Sequence, residues 1–438
     1  MIVVGLTGNA ASGKSEVGRA WAEAGIPVVD ADVLARQAVA PGSPGLERVV
    51  EAFGTGVLDA TGGLDRPAMR RTILADRDAR TRLEAIVHPE VARLREAWLD
   101  AHAKRGETLV VFEVPLLFEA KMDDAVHRSV VIRTPPAAQA ARLAERGLSE
   151  EEIRQLRLAQ MSPDAQADRA DIVLENDGDR EELRRRAALL LGKLLGGAGR
   201  PVAQGELMTL DLHLHTVGSW DSLSDPEALL ARAASQGIDR LAMTDHNELF
   251  VARAMAERYP DRVIPGEEVK TAEGIDVIGL YLTKVIPKGT PARETIARIR
   301  DQGGIPYLPH PFARGKGGGG AFVEELAPLV DVIEVFNSRL HPEALNAPTR
   351  PVVARFGRLS SAGSDAHSSE EEFSHQLHVG EIGNVQLRVP RHGNSADELR
   401  FALARATWTG REASRLVHLG STWAKVRKKL PGAPRFRR

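Results

Sequence analysis

Two short stretches, in different halves of the chain, carry residue types that act on phosphate groups. Residues 8–15 read GNAASGKS, and residues 211–215 read DLHLH. The first is a glycine-rich loop with the fixed lysine and hydroxyl of a phosphate-binding site. The second places His213 and His215 on one face, because side chains alternate along a strand. The spacing therefore raises the question of whether the chain carries one active site or two.

The first stretch matches G-x-x-x-x-G-K-S/T at every fixed position. It follows the β-branched run IVVGLTG and precedes a helical pattern, which is the context such a loop requires. Backbone N–H groups and the positive end of the following helix suit phosphate oxygens. We expect Lys14 to reach the terminal phosphates of a nucleoside triphosphate and Ser15 to bind Mg²⁺. The candidate nucleotide-binding residues are Gly8, Asn9, Ala10, Ala11, Ser12, Gly13, Lys14, Ser15 and Glu16.

Further polar residues follow the strand-like runs of this half. Asp30 and Asp32 come just past the second run, on the ligand side of a parallel sheet. One of them could polarise an attacking hydroxyl or hold magnesium, although a helix N-cap and a loop acid explain the pattern as well. Gln139, Arg142 and Arg146 share one helix face, either as a lid over the phosphates or as a solvated face.

In the second half, histidines and acids stand at the ends of apolar, strand-like runs. Asp211 shares the face of His213 and His215, but a histidine pair alone also fits a core or surface position. The number of further candidates favours a metal site with mixed nitrogen and oxygen ligands, which suit Mn, Zn or Fe. They are His246, Glu267, Glu268, His310, Asp365 and His367.

The elements that must position these residues alternate between strand-like and helix-like segments. Over residues 1–197 this rhythm predicts a parallel sheet covered by helices. A linker at 198–207 contains glycine and proline, and a second α/β domain spans 208–415 with its polar residues at strand ends, as in barrel active sites. A basic tail spans 416–438, and its charge run, 425–438, is expected to be a disordered, solvated end, with a nucleic-acid or membrane contact as the alternative.

Composition limits the class of protein. The chain has 438 residues, 43% of them hydrophobic and 27% charged, with a net charge of −2. These values predict a globular, multidomain protein and no bulk attraction to nucleic acid, and they leave the oligomeric state open. The chain lacks cysteine, so any metal must be held by His, Asp or Glu. No membrane-spanning or secretory segment is visible, so we expect a cytoplasmic protein with small-molecule substrates.

The first half resembles the dephospho-coenzyme A kinase family. The resemblance covers about residues 1–197 and is carried, in this order, by GLTGNAASGKS, DADVLAR, GGLDR, LEAIVHP, PLLFE, Q-x-x-R-L-x-x-R and ADIVLENDG. It implies an adenylate-kinase-like P-loop fold. It also implies transfer of the γ-phosphate of ATP to the ribose 3′-hydroxyl of dephospho-coenzyme A.

Residue by residue, this resemblance makes Asp32 the acid that activates the hydroxyl and Arg142 a lid residue. It places Arg66 and His88 in a helical substrate-binding insertion. The chain departs from the family at Glu113, where aspartate is usual. The longer acid can still reach magnesium through water.

The second half resembles the PHP (polymerase and histidinol phosphatase) family of metal-dependent phosphoesterases. DLHLHT, S-W-D, TDH, PGEE, HP and GSDAH carry this resemblance over about residues 208–380. It implies a distorted (β/α)7 barrel with up to three metals. The first site would use His213, His215, Glu268 and Asp365; the second, bridging Glu268 and His310; the third, Asp221, His246 and His367.

Some positions in this half depart from the family or match none of its motifs. Asp276 stands where many members have a histidine, and as a carboxylate it can also bind metal. Arg314 and Arg339 either bind a substrate phosphate or are ordinary surface arginines. The histidines that match no motif are treated as non-ligands: His341, His375, His378, His392 and His418.

The leading hypothesis is a bifunctional enzyme, a dephospho-coenzyme A kinase joined to a metal-dependent phosphoesterase. By family analogy, the phosphoesterase substrate would be a 3′,5′-bisphosphonucleotide, with nucleic acid as a weaker candidate. One alternative keeps the kinase but makes the second half a metal-bound sensor or structural module. Another makes the first half a different P-loop enzyme, such as a nucleoside kinase.

Overall fold

The computed structural model describes residues 1–196, 206–314, 317–367, 382–413, 417–433 and 436. The chain divides into two compact units, Met1–Ala187 and Ala188–Arg438. The predicted linker, 198–207, lies almost wholly outside the described residues, so its bounds stay a prediction. In the described part, no helix combines the length and the apolar character needed to cross a membrane.

The first unit is built on a five-stranded sheet in which every pair of neighbours is parallel. Because the strands share one direction, their carboxyl ends meet at one edge, where ligands bind in such sheets. The strands are β1 (Ile2–Thr7), β2 (Val28–Asp30), β3 (Leu109–Glu113), β4 (Arg128–Arg133) and β5 (Ile172–Glu175), in the order β2-β3-β1-β4-β5.

Helices surround this sheet, and several begin at a side-chain cap predicted by their sequence. Asp30, Ser43 and Asp65 each accept a backbone N–H from the first turn of the following helix. The helices are α1 (Lys14–Glu23), α2 (Ala31–Ala38), α3 (Pro44–Phe53), α4 (Arg66–Ala75), α5 (Arg77–Lys104), α6 (Pro136–Glu145), α7 (Glu150–Leu158), α8 (Pro163–Arg169) and α9 (Arg180–Leu194), with short 3-10 turns at 55–57 and 123–125.

The second unit is a nearly closed barrel with a two-strand extension. Its strands are β6 (Leu207–Leu214), β7 (Arg240–His246), β8 (Val263–Lys270), β9 (Asp276–Leu280), β10 (Ile305–Leu308), β11 (Val332–Asn337), β12 (Leu359–Gly363), β13 (Val385–Pro390) and β14 (Thr407–Gly410), in the order β12-β11-β10-β9-β8-β7-β6-β13-β14. The first half of β6 pairs with β13, whereas its end meets the residues after β12 through the Leu214–Ala366 bridge.

One strand breaks the parallel pattern of the barrel. β9 runs antiparallel to both β8 and β10, and it follows β8 through a short turn instead of a helix. The predicted fold class, a P-loop kinase with a parallel sheet followed by a distorted barrel, is confirmed. The reversed strand is where the barrel departs from seven regular β/α units.

The remaining helices are α10 (Pro226–Ser235), α11 (Phe250–Arg258), α12 (Ala292–Arg300), α13 (Val323–Leu326), α14 (Thr349–Phe356), α15 (Ala396–Leu403) and α16 (Val417–Arg427), with 3-10 turns at 320–322 and 343–345. The expectation of a disordered, solvated end over 425–438 is wrong for residues 425–427, which belong to α16. Val417, Ser421 and Ala424 recur at helical spacing and are buried. Because basic residues surround these three positions, composition alone does not indicate that one face of the helix is buried.

Candidate nucleotide and metal sites

The loop after β1 has the backbone of a phosphate cradle. Gly8 and Gly13 have φ angles of 146° and 98°, which side chains rarely adopt. A Cβ on Gly13 would collide with the Asn176 amide. That amide donates to the Ser12 carbonyl at 2.6 Å, and the Thr134 hydroxyl donates to the same oxygen at 2.9 Å. The loop is therefore held in place through its carbonyl groups by side chains of the first unit.

Lys14 and Ser15 converge on one carboxylate. The Lys14 ammonium lies 3.0 Å from Glu113 Oε1, and the Ser15 hydroxyl donates to the same oxygen at 2.9 Å. Glu113 is buried at the end of β3, and Gly18 of α1 makes room for it, since a Cβ there would collide with Oε2. A hydroxyl and a carboxylate oxygen are hard ligands that suit Mg²⁺. The Glu113 carboxylate therefore lies beside the two loop residues that are expected to bind phosphate and Mg²⁺.

The predicted lid face divides into two parts. Gln139 is buried and donates to the Ala10 carbonyl at 2.9 Å. Arg142 lies beside the loop, with Nη1 at 3.5 Å from the Ala11 carbonyl oxygen. Arg146, by contrast, is exposed beyond the end of α6. Two of the three residues therefore contact the loop itself.

Glu16 turns away from the cradle. Its carboxylate accepts from Arg184 at 3.0 Å and pairs with Arg180 at 3.0 Å. Burial raises the pKa of Glu16, but these guanidinium groups outweigh it and hold the pKa below its usual value. Among the nine candidate nucleotide-binding residues, Glu16 thus pairs with two arginines of α9.

The other predicted kinase residues lie around the carboxyl edge and in the helices after β2. Asp30 caps α2 by accepting the Asp32 N–H at 2.7 Å, which leaves the Asp32 carboxylate exposed in the first turn. Asp30 also stands opposite Glu113 in the β2–β3 register. Arg66 begins α4 and His88 lies within α5, both exposed. The exposed Asp32 carboxylate therefore stays a candidate for contact with an acceptor hydroxyl.

The second unit gathers its candidate ligands at one edge of the barrel. Parallel strands bring their carboxyl ends together there, and the reversed strand β9 contributes its first residue, Asp276, to the same edge. His310 and Asp365 have φ angles of 25° and 53°, and such strained backbone clusters at functional sites. The residues brought together are His213, His215, Asp221, His246, Glu268, Asp276, His310, Asp365 and His367.

Glu268 lies at the centre of this cluster. Its Oε2 is 3.5 Å from His213 Nε2, 3.3 Å from His215 Nε2 and 3.1 Å from His246 Nδ1. Its Oε1 is 3.1 Å from His310 Nε2. Four imidazoles around one buried carboxylate provide the mixed nitrogen and oxygen donors that suit first-row metal ions.

Asp365 and Asp221 complete the arrangement on either side. Asp365 Oδ1 lies 3.3 Å from His215 Nε2 and 3.6 Å from His213 Nε2. Asp221 Oδ2 lies 3.4 Å from His367 Nε2 and 3.6 Å from His246 Nε2. The three ligand sets named from the sequence therefore correspond to neighbouring, overlapping groups of side chains.

Several nitrogen and oxygen atoms of the cluster are buried close to an opposite charge, yet they make no well-aligned hydrogen bond within the described part of the chain. They include Nε2 of both His213 and His215 and Oε2 of Glu268. An unpaired buried polar atom is costly, so such atoms call for a partner. Divalent cations supply one, and these residues fit them.

The charges of the cluster favour a cation even in the absence of metal. Burial lowers the pKa of His213 and His215, but the neighbouring carboxylates outweigh it. The pKa of His213 is held well above its usual value, and that of His215 is raised to about 10. Burial raises the pKa of Glu268 and Asp365, yet the imidazolium charges hold both well below their usual values. Without metal, protons occupy the imidazoles of His213 and His215 while Glu268 and Asp365 stay ionised.

We therefore expect metal binding to release protons, because a ligating imidazole must be neutral. The raised pKa values keep His213 and His215 protonated at neutral pH, so apparent Mn²⁺ affinity should rise with pH between about 6 and about 8. Calorimetry in buffers of different ionisation enthalpy measures the protons released. A binding heat independent of the buffer would contradict this charge state.

Asp276 has a second partner. Its carboxylate pairs with the Lys270 ammonium at 2.5 Å and also belongs to a group with His246 and Glu268. Residue 276 opens β9 directly opposite Lys270 in the register. The Asp276 carboxylate can therefore bind a metal while Lys270 offsets part of its charge.

Glu334 is a functional candidate missed at the sequence level. It is buried in β11, and its Oε1 lies 3.1 Å from His213 Nδ1 and accepts from the Tyr307 hydroxyl at 2.8 Å. Its Oε2 accepts the His310 N–H at 2.8 Å and the Asn337 amide at 2.9 Å. A carboxylate on the far nitrogen of a histidine fixes the orientation of the ring. The available signal was one acid inside the apolar run VIEVF.

Replacing Glu334 with glutamine should weaken metal binding about 10- to 100-fold, the usual cost of losing such a partner. An amide retains the volume but offers only one acceptor oxygen to the four donors. Calorimetric titration with Mn²⁺ measures the change. Glu343→Gln, at an exposed position of the same unit, serves as the control. Equal affinities for the two variants would remove Glu334 from the site.

The candidate ligands open onto a cavity of about 750 Å³. Its wall combines the acidic candidate ligands with four cations that suit an anionic substrate: Lys270, Lys288, Arg339 and Lys425. Arg339 is buried and donates to the Asp365 carbonyl at 3.2 Å. Arg314 is exposed and is not part of the wall. Of the two predicted phosphate-binding arginines, only Arg339 borders the cavity.

The histidines without a motif stand apart from the described ligand groups. His341 lies 3.5 Å from Glu412, and His392 lies beside Arg240. His418 lines the cavity, but its Nδ1 lies 3.3 Å from Arg339 Nη2. Residues 375 and 378 lie outside the described residues.

Comparison with known proteins divides the chain in the same way. A family model described as dephospho-CoA kinase matches residues 2–182, and a model of the PHP domain matches residues 211–288. A dephospho-CoA kinase of Geobacter metallireducens is 45% identical over 192 residues, covering 43% of this chain and 95% of that protein. One from Bacillus cereus is 39% identical over 191 residues, covering 43% and 96%.

Among solved structures, a two-domain protein from Bacteroides vulgatus, described as containing a predicted PHP-like metal-dependent phosphoesterase, is 19% identical with a TM-score of 0.35. The match covers 47% of this chain and 65% of that one. Together, the family models and the kinase relatives assign each part of the chain. The chain belongs to the dephospho-CoA kinase family through its N-terminal part and carries a PHP domain in its C-terminal part.

Proposed function

We propose that the chain is a bifunctional enzyme: an ATP-dependent kinase that phosphorylates the ribose 3′-hydroxyl of dephospho-coenzyme A, joined to a metal-dependent phosphoesterase. For the kinase, the supporting observation is the convergence of Lys14 and Ser15 on Glu113 in a chain whose relatives carry this activity by name. For the phosphoesterase, it is the buried group of imidazoles around Glu268.

In the kinase step, the 3′-oxygen of the acceptor forms a bond to the γ-phosphorus, and the bond to the β–γ bridging oxygen breaks to release ADP. The loop N–H groups and Lys14 hold the phosphates, while Ser15 and Glu113 would hold Mg²⁺, which would offset charge on the phosphates. Asp32 takes the hydroxyl proton, and Arg142 offsets charge on the transferring phosphoryl group. Arg66 and His88 bind the acceptor.

In the phosphoesterase, three groups of residues would hold the metals. His213, His215, Glu268 and Asp365 form the first; Glu268, Asp276 and His310 the second; Asp221, His246 and His367 the third. Two or three divalent ions such as Mn, Zn or Fe would polarise the phosphoryl oxygens and activate water. Water adds its oxygen to phosphorus, and the ester bond breaks to release an alcohol. The cavity cations, Arg339 among them, attract the anionic ester.

The test uses the full chain loaded with Mn²⁺. Phosphate release is measured with adenosine 3′,5′-bisphosphate, coenzyme A, histidinol phosphate, a short oligonucleotide and an aryl phosphate. Release from one member identifies the substrate class, for which a 3′,5′-bisphosphonucleotide is our candidate. No release from any of them, with metals bound, would favour a metal-bound sensor module. In parallel, phosphorylation of a nucleoside in preference to dephospho-coenzyme A would contradict the kinase assignment.

A further inference from the structure

Lys428, the residue that follows helix α16, contacts a loop of the candidate metal site. No sequence motif includes this lysine. Lys428 donates to the carbonyl of Val217 at 2.5 Å and to that of Ser219. These carbonyls belong to the loop after β6, a few residues before Asp221. A side chain from the basic tail thus binds the backbone of a ligand-bearing loop.

The same loop is held from its other side by Asp245. This buried carboxylate accepts the Thr216 N–H at 2.6 Å and the Ser219 N–H at 3.1 Å. The Ser219 hydroxyl donates in turn to Asp221 Oδ1 at 2.7 Å. The loop is therefore held by two side chains: the Asp245 carboxylate accepts hydrogen bonds from its N–H groups, and the Lys428 ammonium donates hydrogen bonds to its carbonyl oxygens.

α16 itself is anchored next to His367, another candidate ligand of the third metal group. Arg339 donates to the Ser421 hydroxyl of α16 at 3.1 Å and also contacts His367. Ser421 is buried. The helix is thereby tied to His367 through Arg339, and Lys428 extends from its end to the loop of Asp221.

We propose that Lys428 is a positioning residue for the third metal group: it holds the loop so that Asp221 faces His246 and His367. The inference rests on the proposed metal-dependent function of the PHP domain. Asp221 lies on a loop without strand pairing, so its distances of 3.6 Å and 3.4 Å to the two imidazoles depend on contacts of this kind. Occupancy of the third metal position then depends on the C-terminal end of the chain.

The test compares three variants of the full chain. Lys428→Met keeps the length of the side chain but removes its donors. Lys428→Arg restores donors to the two carbonyls. Lys429→Met makes the same change at the next residue, which is exposed, and so controls for lost charge. Each is titrated with Mn²⁺ by calorimetry, and bound metal is counted after gel filtration.

We expect Lys428→Met to weaken one class of Mn²⁺ sites about 10- to 100-fold, as supporting residues of metal sites do. The remaining sites should be unchanged, Lys429→Met should match the wild type, and Lys428→Arg should recover most of the affinity. Equal titrations for Lys428→Met and Lys429→Met would overturn the inference and leave the proposed function intact. Equal weakening of every site, with a lower melting temperature, would also overturn it, because that marks a general structural role. A wild-type chain that binds no metal would overturn both.

Discussion

Replacing Lys14 with alanine should lower the rate of coenzyme A formation on the order of 1000-fold, with phosphate release by the PHP domain unchanged. The Lys14 ammonium lies 3.0 Å from Glu113 at the carboxyl edge of the sheet, where the terminal phosphates of ATP would lie. Losing one preorganised positive group from a phosphoryl-transfer site costs about this much. The loop backbone should survive, because Asn176 and Thr134 hold the Ser12 carbonyl independently of the lysine.

The measurement is formation of coenzyme A from dephospho-coenzyme A with ATP and Mg²⁺. Lys104→Ala, at the exposed end of α5, removes the same charge away from the loop and should behave as the wild type. Equal rates for Lys14→Ala and Lys104→Ala would mean that the loop does not carry the kinase reaction.

Replacing Asp365 with asparagine should reduce phosphate release by at least about 100-fold, the scale expected when a metal-activated step loses a ligand charge. Its Oδ1 faces the nitrogens of both His213 and His215. Asparagine suits the test because it tolerates the positive φ of 53° at this position. The change therefore removes the charge without straining the backbone.

Asp261→Asn, in the exposed turn before β8, is the matched control and should leave phosphate release unchanged. His213→Ala, which removes an imidazole from the same group, should have an effect at least as large. Retained activity in both ligand variants, together with normal metal content, would place the chemistry outside this cluster.

The phosphate loop could be predicted from sequence because its chemistry is local. Eight consecutive residues supply the glycines, the lysine and the hydroxyl, and the strand before them fixes where they stand. Glu113 is distant in sequence, and only the family resemblance marked it, as the position where aspartate is usual. Only the structure shows that its oxygen meets both Lys14 and Ser15.

The metal cluster was predictable for a related reason, since each ligand follows an apolar run and such runs end at one edge of a barrel. Asp276 obeys this rule only because β9 is reversed, so that its first residue reaches that edge. Glu334 was not predicted, because it contacts His213 from within a strand and nothing in the local sequence indicates that contact. The direction of a strand and its cross-strand contacts depend on the tertiary fold, so the local sequence does not indicate them.

The tail was the largest error. Its charge predicted a solvated end over 425–438, whereas residues 425–427 continue α16, a helix that buries Val417, Ser421 and Ala424 on one face. The contacts of Lys428 with the Asp221 loop join residues more than two hundred positions apart. No local pattern predicts such a pairing.

The most direct test of two independent activities is a reciprocal assay on one set of full-length proteins. The wild type, Lys14→Ala, Asp365→Asn and the double variant are each assayed for coenzyme A formation and for phosphate release from the most responsive phosphoester. The account predicts that each single variant loses one activity and keeps the other, and that the double variant loses both. Loss of both activities in a single variant, or phosphate release that survives Asp365→Asn with its metals absent, would contradict it.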